Sequence, residues 1–319
     1  MKDLSKDSVT WLTIDEDLAG GRLDNFLVKI AKGVPKSHLY RIIRSGEVRV
    51  NSRRAGADYK LGAGDTVRVP PIRVAEKPTN LAPAKEFSIL FEDEALLVVD
   101  KPAGVAVHGG SGVSFGVIEQ LRQARPQAKL LELAHRLDRE TSGIMVIAKK
   151  RAALTKLHDM FREGRIAKRY QALVLGRWLN PVQHVKLPLL KTVNAEGERH
   201  VLVSPEGKPS YSIVRLKARW ENFSLVEVEL KTGRTHQIRV HLAHLGFQVA
   251  GDSKYGDFSI NRNLQKTGLK RMFLHAGQLS LSHPLSELPL TLESPLPVEL
   301  AEFLKILSSR ERQENGEAF

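Results

Sequence analysis

Apolar residues recur along this chain with two different periods, and the change from one to the other divides it. In RLDNFLVKIA, Leu23, Phe26, Leu27 and Ile30 share one helix face, and in KSHLYRIIRSG Leu39, Ile42 and Ile43 do the same before Gly46 ends the run. EVRVNSRRAG and GDTVRVP then alternate Val with Arg, which predicts strands with a solvated basic face. PPIRVAEKPTNLAPAKE, with four prolines, breaks both periods and reads as a linker. Beyond it come the strand-like runs FSILFED, ALLVVDKPAG, GIMVIAKK, YQALVLGRW, SYSIVRLKARW and FSLVEVELKTG, with helices expected near 115–124 and 151–163. Strands so close in sequence, joined mostly by short turns, predict a mixed, mainly antiparallel sheet flanked by helices and loops, hence an α+β protein. The expected organisation is a polar lead-in over 1–15, a small basic domain over 16–73, a linker over 74–87, a larger domain over 88–308 and a polar tail over 309–319.

Composition narrows the function. With 42% hydrophobic and 27% charged residues, a chain of 319 residues is ordinary for a globular protein, which excludes extensive disorder. Its net charge of +13 favours a polyanionic partner, nucleic acid first and an anionic membrane surface second. Residues 20–73 hold twelve Lys and Arg against four acids, a net +8 of that total. The cations Lys36, Arg41, Arg44, Arg49, Arg53 and Arg54 fall on or beside the second helix and first strand of this block. So one-sided a balance points to phosphate binding rather than a merely solvated face. No apolar run approaches the ~20 residues a membrane span requires. The N-terminus is acidic where a secretory signal would be basic and then apolar, so export is not expected. The absence of cysteine removes disulfides and thiolate metal sites and fits a reducing cytoplasm.

One stretch, LAHRLDRETSGIMVIAKK at 133–150, sets a charged knot against a buried strand. Extending the strand before it with period two puts Arg136 and Asp138 on the same face, turned towards a cleft or paired at the surface. A catalytic carboxylate in a partly desolvated cleft must stay ionised, which an adjacent guanidinium favours, and Arg239 in THQIRVHLAHLG is the candidate partner. Tyr170, ringed by Lys168 and Arg169, either packs in the core or stacks a nucleobase. Two other patterns carry less. GVSFG at 112–116 fits a nucleophile elbow, but it overlaps the HGGSG loop instead of following a strand, so its glycines read as allowing close backbone approach. His236, His241 and His244 lack a nearby carboxylate to complete a metal set, and satisfied core histidines are the better reading.

Together these residues resemble the pseudouridine synthase family that carries the H-R-L-D-x-x-T-S-G signature, present here as His135, Arg136, Leu137, Asp138, Thr141, Ser142 and Gly143. KPAG at 101–104, KRYQALV at 168–174, GRTHQIRVHLAHLG at 233–246 and GDSKYG at 251–256 follow the family order, and the basic block resembles its alpha-L RNA-binding domain. The resemblance covers roughly 15–305. It implies isomerisation of uridines to pseudouridine in large-subunit (23S) ribosomal RNA, with transfer RNA as the alternative substrate and a non-catalytic ribosome assembly factor as the alternative role. By the same analogy Asp138 is the essential carboxylate, adding to the ribose anomeric carbon or removing a ribose proton. Arg239 holds it, Tyr170 stacks on the flipped uracil with a part in the loss of its carbon-five proton, and Arg136 fills the gap left in the RNA. No cofactor or metal is expected, nor a protein partner, and a monomer is expected.

Overall fold

The structure, a computed structural model, describes residues 4–16, 18–31, 33–72, 82–110, 114–193 and 199–314. The basic block folds as a four-stranded antiparallel sheet with two helices. Its elements are β1 (Thr10–Thr13), α1 (Leu23–Ile30), α2 (Lys36–Arg44), β2 (Arg49–Val50), β3 (Arg53–Arg54) and β4 (Thr66–Val69), with strand order β1-β4-β2-β3. The helical periods land as the sequence requires, since Leu23, Phe26, Leu27, Leu39, Ile42 and Ile43 meet Val50 and Val67 in one buried cluster. The lead-in expected over 1–15 needs correction. Thr10–Thr13 pairs with β4 because Leu12 and Ile14 point inward while Trp11 stays exposed, a period-two pattern that a polar flank disguises. Most of the expected linker at 74–87 lies outside the described residues. Its end is docked on the larger body, where Phe87 is buried and the Lys85 amide donates to Gln120 O.

The larger body runs β5 (Ser88–Glu92), β6 (Leu96–Lys101), α3 (Val117–Ala124), β7 (Glu132–Leu133), β8 (Ser142–Ala148), α4 (Arg151–Arg162) and β9 (Ala167–Leu175). It continues with β10 (Val182–Lys186), β11 (Leu189–Val193), β12 (Arg199–Val203), β13 (Tyr211–Arg219), β14 (Phe223–Leu230), α5 (Gln237–His244) and α6 (Phe258–Lys266). β15 (Leu274–Ser282), β16 (Pro289–Glu293) and α7 (Val298–Glu314) complete it. The main sheet has the order β10-β13-β14-β9-β15-β8-β6-β5, with β16 beside β15 and β7 beside β8, while β11 and β12 form a separate hairpin. Among the described residues only the β15–β8 pairing is parallel. β8 is buried along its whole length because Met145 and Ile147 enter one core cluster and Ile144, Val146 and Ala148 the other. Covering on both faces is what lets SGIMVIA be continuously apolar. Gly143 has φ +111°, and a Cβ there would lie 2.3 Å from Ala276 O, so a glycine is needed where β15 comes alongside.

The polar tail expected at 309–319 is also corrected. Residues as far as 314 continue α7, whose Leu300, Phe303 and Leu307 dock beside Leu173 and Phe273, and strong helix formers extend the helix past its last anchor.

Candidate active site

The charged knot is not the continuous strand that period two predicts. β7 ends at Leu133; the Ala134 amide still donates to Val146 O at 3.1 Å, but the Val146 amide donates to His135 Nε2 at 3.0 Å. The imidazole takes the next rung of the ladder, so the backbone is released into a loop. From the far side, the fully buried Lys101 of KPAG donates from Nζ to Pro102 O, Val105 O and Arg139 O, and the Gly104 amide adds a second bond to Arg139 O. The Thr141 amide closes the turn on Asp138 O. Leu137 is thereby buried, with Arg136 exposed on one side and Asp138 half-buried on the other. Both border one cleft, as expected, though a clamped turn puts them there.

The opposite wall of the cleft is the start of α5. Arg239 donates from Nη1 to Asp138 Oδ2 at 3.2 Å, and from Nε and Nη2 to the two carboxylate oxygens of Asp252, both at 2.7 Å. Asp252 is buried and accepts the Lys254 and Tyr255 amides as well. Arg239 is thus held in a two-pronged grip by one carboxylate while its remaining arm reaches the other. His236, the N-cap of α5, sits in the left-handed region at φ +53°, with Nδ1 2.8 Å from the Tyr255 hydroxyl and Nε2 3.9 Å from Asp138 Oδ1. A non-glycine residue held there is a strained backbone at the rim of a cleft. Gln237 fixes the turn, donating to Tyr211 O and Ser212 Oγ and accepting from Thr232 and Arg234.

The third wall is β9. Tyr170 and Lys168 face the cleft together, whereas Arg169 points to the opposite side of the sheet and bonds Gln278, so only one of the two flanking cations accompanies the ring. Burial pushes the Tyr170 phenol well above its ordinary range, with the Asp138 carboxylate adding to the shift. The hydroxyl therefore stays protonated.

With this geometry in place, comparison with known proteins is decisive. A profile described as RNA pseudouridylate synthase matches residues 95–244, and one described as the S4 domain matches 21–67. The ribosomal large subunit pseudouridine synthase C of Pasteurella multocida is 51% identical over 307 residues, covering 94% of either chain. The protein of the same name from Escherichia coli K12 is 50% identical over 309 residues, 94% of this chain and 97% of that one. This chain belongs to the RNA pseudouridylate synthase family. Among solved structures, human RNA pseudouridylate synthase domain containing 4 has a TM-score of 0.58 at 26% identity, over 69% of this chain and 93% of that one.

In this synthase the S4 domain leaves Lys36, Arg41, Arg44, Arg49, Arg53 and Arg54 all exposed, and none forms a salt bridge among the described residues. Several have a second duty. Arg54, Arg49 and Arg68 lie abreast on β3, β2 and β4 and donate to Ser45 O, Gly46 O and Glu47 O, the carbonyls left open where α2 ends. Like charges side by side on neighbouring strands repel, which a bound polyanion would relieve. Lys36 and Arg53 make no such bond, so they isolate the charge. Lys36→Gln with Arg53→Gln is expected to leave the melting temperature unchanged and to reduce the salt dependence of RNA binding by about 0.7 to 0.9 per lost phosphate contact. Binding titrations at several salt concentrations check this; an unchanged slope removes these two side chains from the RNA interface.

The other sequence patterns resolve simply. Among the described residues no cluster of three or more His, Asp or Glu could hold a metal. His241 is buried and bonded to Ser210, Ser212 and Leu187 O, while His244 is exposed. Of the glycine-rich loop, residues 111–113 lie outside the described set. At Gly116 a Cβ would lie 2.4 Å from His108 backbone, the close approach expected there.

Asp252 and Lys101 were not singled out by sequence reasoning, and His236 was weighed only as a metal ligand or core histidine, not as a neighbour of Asp138. The only signal was their place inside the GDSKYG, GRTHQIR and KPAG blocks. His135 was seen, but its role as a substitute rung was not. Its imidazole is pushed down from 6.5 to about 4, first by burial and then by the Lys168 cation. The unfolded chain therefore binds a proton between about 6.5 and 4 that the folded synthase refuses, and stability should fall as pH drops through that window. His135→Gln, which retains an acceptor for the Val146 amide, should show a shallower loss in denaturation series from pH 7 to 4. Equal slopes would assign the whole effect to other buried histidines.

Proposed function

We propose that this synthase isomerises specific uridines to pseudouridine in large-subunit (23S) ribosomal RNA, as a monomer in the cytoplasm, with Asp138 as the reacting carboxylate. The observation that carries the reading is the 3.2 Å contact of Asp138 with an Arg239 already anchored by Asp252, at a cleft bordered by Arg136 and Tyr170. In the isomerisation the N1–C1′ bond of uridine breaks, the uracil turns, a C5–C1′ bond forms, and a proton leaves C5 while N1 gains one. Asp138 begins this as the anion, by adding to C1′ or by taking a ribose proton, and Arg239 orients it. Tyr170 supplies a wall for the uracil and takes part in loss of the C5 proton, with a phenol that burial and the Asp138 charge hold above its ordinary range. A base within a helix is out of reach, so the nucleotide must turn outward, and Arg136 on the cleft rim occupies the vacated stack. The exposed S4 cations hold the RNA. The names borne by relatives near 50% identity support the choice of ribosomal over transfer RNA.

The test is tritium release from RNA labelled at carbon five of uridine, with 23S ribosomal RNA and transfer RNA offered separately, alongside mapping of pseudouridines in cells lacking the protein. Release from ribosomal RNA and loss of ribosomal sites are expected. Release from transfer RNA alone would move the substrate, and release from neither would leave an RNA-binding protein without this activity.

A further inference from the structure

Lys168 is the side chain in the cleft that the reading above leaves without a task. It is 8% exposed, and among the described residues its ammonium has no hydrogen bond and no ion pair. Its ammonium lies 5.6 Å from the Phe161 ring and acts as a like-signed neighbour on the His135 imidazole, neither of which supplies an anion. Moving an ammonium out of water without an anion is costly, and burial holds this one below the ordinary lysine range. The folded protein accepts that cost at a position that opens into the cleft.

We propose that Lys168 receives a backbone phosphate of the RNA, next to the uridine held at Asp138 and Tyr170. The proposal rests on the reading of this cleft as a uridine site and names a further contact within it. Three observations carry it. First, the cleft is lined by the cations Arg136, Arg162, Lys168, Arg234 and Arg239 against a single carboxylate, Asp138, which Arg239 already engages. An anionic ligand is the complement of such a lining. Second, Lys168 and Tyr170 are two residues apart on one face of β9, so their Cα atoms stand about 6.6 Å apart, and a base against Tyr170 brings its sugar and phosphate within reach of the longer side chain. Third, the group is an ammonium. The uracil carbonyls are neutral acceptors that any amide could satisfy, whereas a compact, mobile point charge suits a phosphate oxygen. The arriving phosphate also restores to Lys168 the stabilisation of its charge that burial removed.

The test uses the full chain and a 23S ribosomal RNA stem-loop that the wild type converts; that conversion checks the activity independently of Lys168. Lys168→Met keeps the aliphatic stem and removes the charge. Its RNA affinity and KM should weaken several-fold, and the slope of log affinity against log salt should decrease by about 0.7 to 0.9, the amount for one phosphate contact. Saturating turnover should be largely retained, and the melting temperature should equal or exceed that of the wild type because a largely desolvated charge without an anion has gone. Lys168→Arg should recover the salt slope. An unchanged slope in Lys168→Met overturns the proposal, and a fall in kcat with that slope unchanged would assign the charge to the departing uracil instead. A lower melting temperature, or failure to fold where Lys168→Arg folds, overturns it from the other side by showing that the charge serves the fold.

Discussion

Asp138→Asn is expected to bring pseudouridine formation below detection while leaving a folded, RNA-binding protein. An amide has the shape of the carboxylate but can neither add to an anomeric carbon nor take a ribose proton. The fold should tolerate the change. The side chain is a fifth exposed, its amide oxygen can still accept from Arg239, and Arg239 keeps both bonds to Asp252, so a loss under about 1 kcal/mol is expected. Tritium release and a melting curve on the same preparation separate the two effects, with mass spectrometry excluding deamidation back to Asp. Turnover near the wild-type rate in verified Asp138→Asn would remove Asp138 from the chemistry.

Asp252→Asn should behave in the opposite manner, losing stability and activity together. Asp252 is buried and is the two-pronged partner of a buried guanidinium, and breaking such a pair from one side costs about 3 to 5 kcal/mol because the other charge is left uncompensated. Burial alone would raise the Asp252 carboxyl, but the Arg239 hydrogen bonds and charge outweigh it, and the folded value lies below the ordinary one. Its contribution to stability is therefore complete above the unfolded value of about 3.9 and is lost as pH falls through the lower folded value. In Asp252→Asn that acid-side component should vanish. Replacing both partners, Arg239→Met with Asp252→Leu, should recover much of the stability and none of the activity. Recovery of turnover in that pair would show that Arg239 is not needed to hold Asp138.

These variants also mark where the sequence is legible. Asp138, Arg239, Tyr170 and Arg136 lie in dense local patterns, and all four border one cleft. Asp252 contacts Arg239 across a turn that no periodicity predicts, and it looks in the sequence like any acid after a glycine. Period-two reasoning placed Arg136 and Asp138 together for an incomplete reason, because a side-chain ring can replace a backbone rung and nothing in a hydrophobic pattern records that. The strands β5, β6, β8, β9, β13 and β14 were visible from their apolar runs. β1, β10, β11, β12, β15 and β16 were not, being short, half-solvated or interrupted by glycine and polar residues. β15 is the costliest omission, since LHAGQLSLS alternates too loosely to stand out, yet it lies at the centre of the sheet.

That central position has a consequence in time. β15 lies between β9, which carries Tyr170, and β8, into which the Asp138 turn feeds, so it sets the width between those two walls. It is also made late: of the main sheet only β16 follows it along the chain. About a hundred residues separate the end of β9 from the start of β15, and a ribosome adding ~5 to 20 residues per second takes roughly 5 to 20 s to supply them. Throughout that interval the nascent chain holds Asp138 and Tyr170 with no strand to join their walls, and two apolar strand edges wait unpaired for the same late segment. The walls that carry Asp138 and Tyr170 are thus joined only near the end of synthesis, and that interval leaves their facing edges open to mispairing.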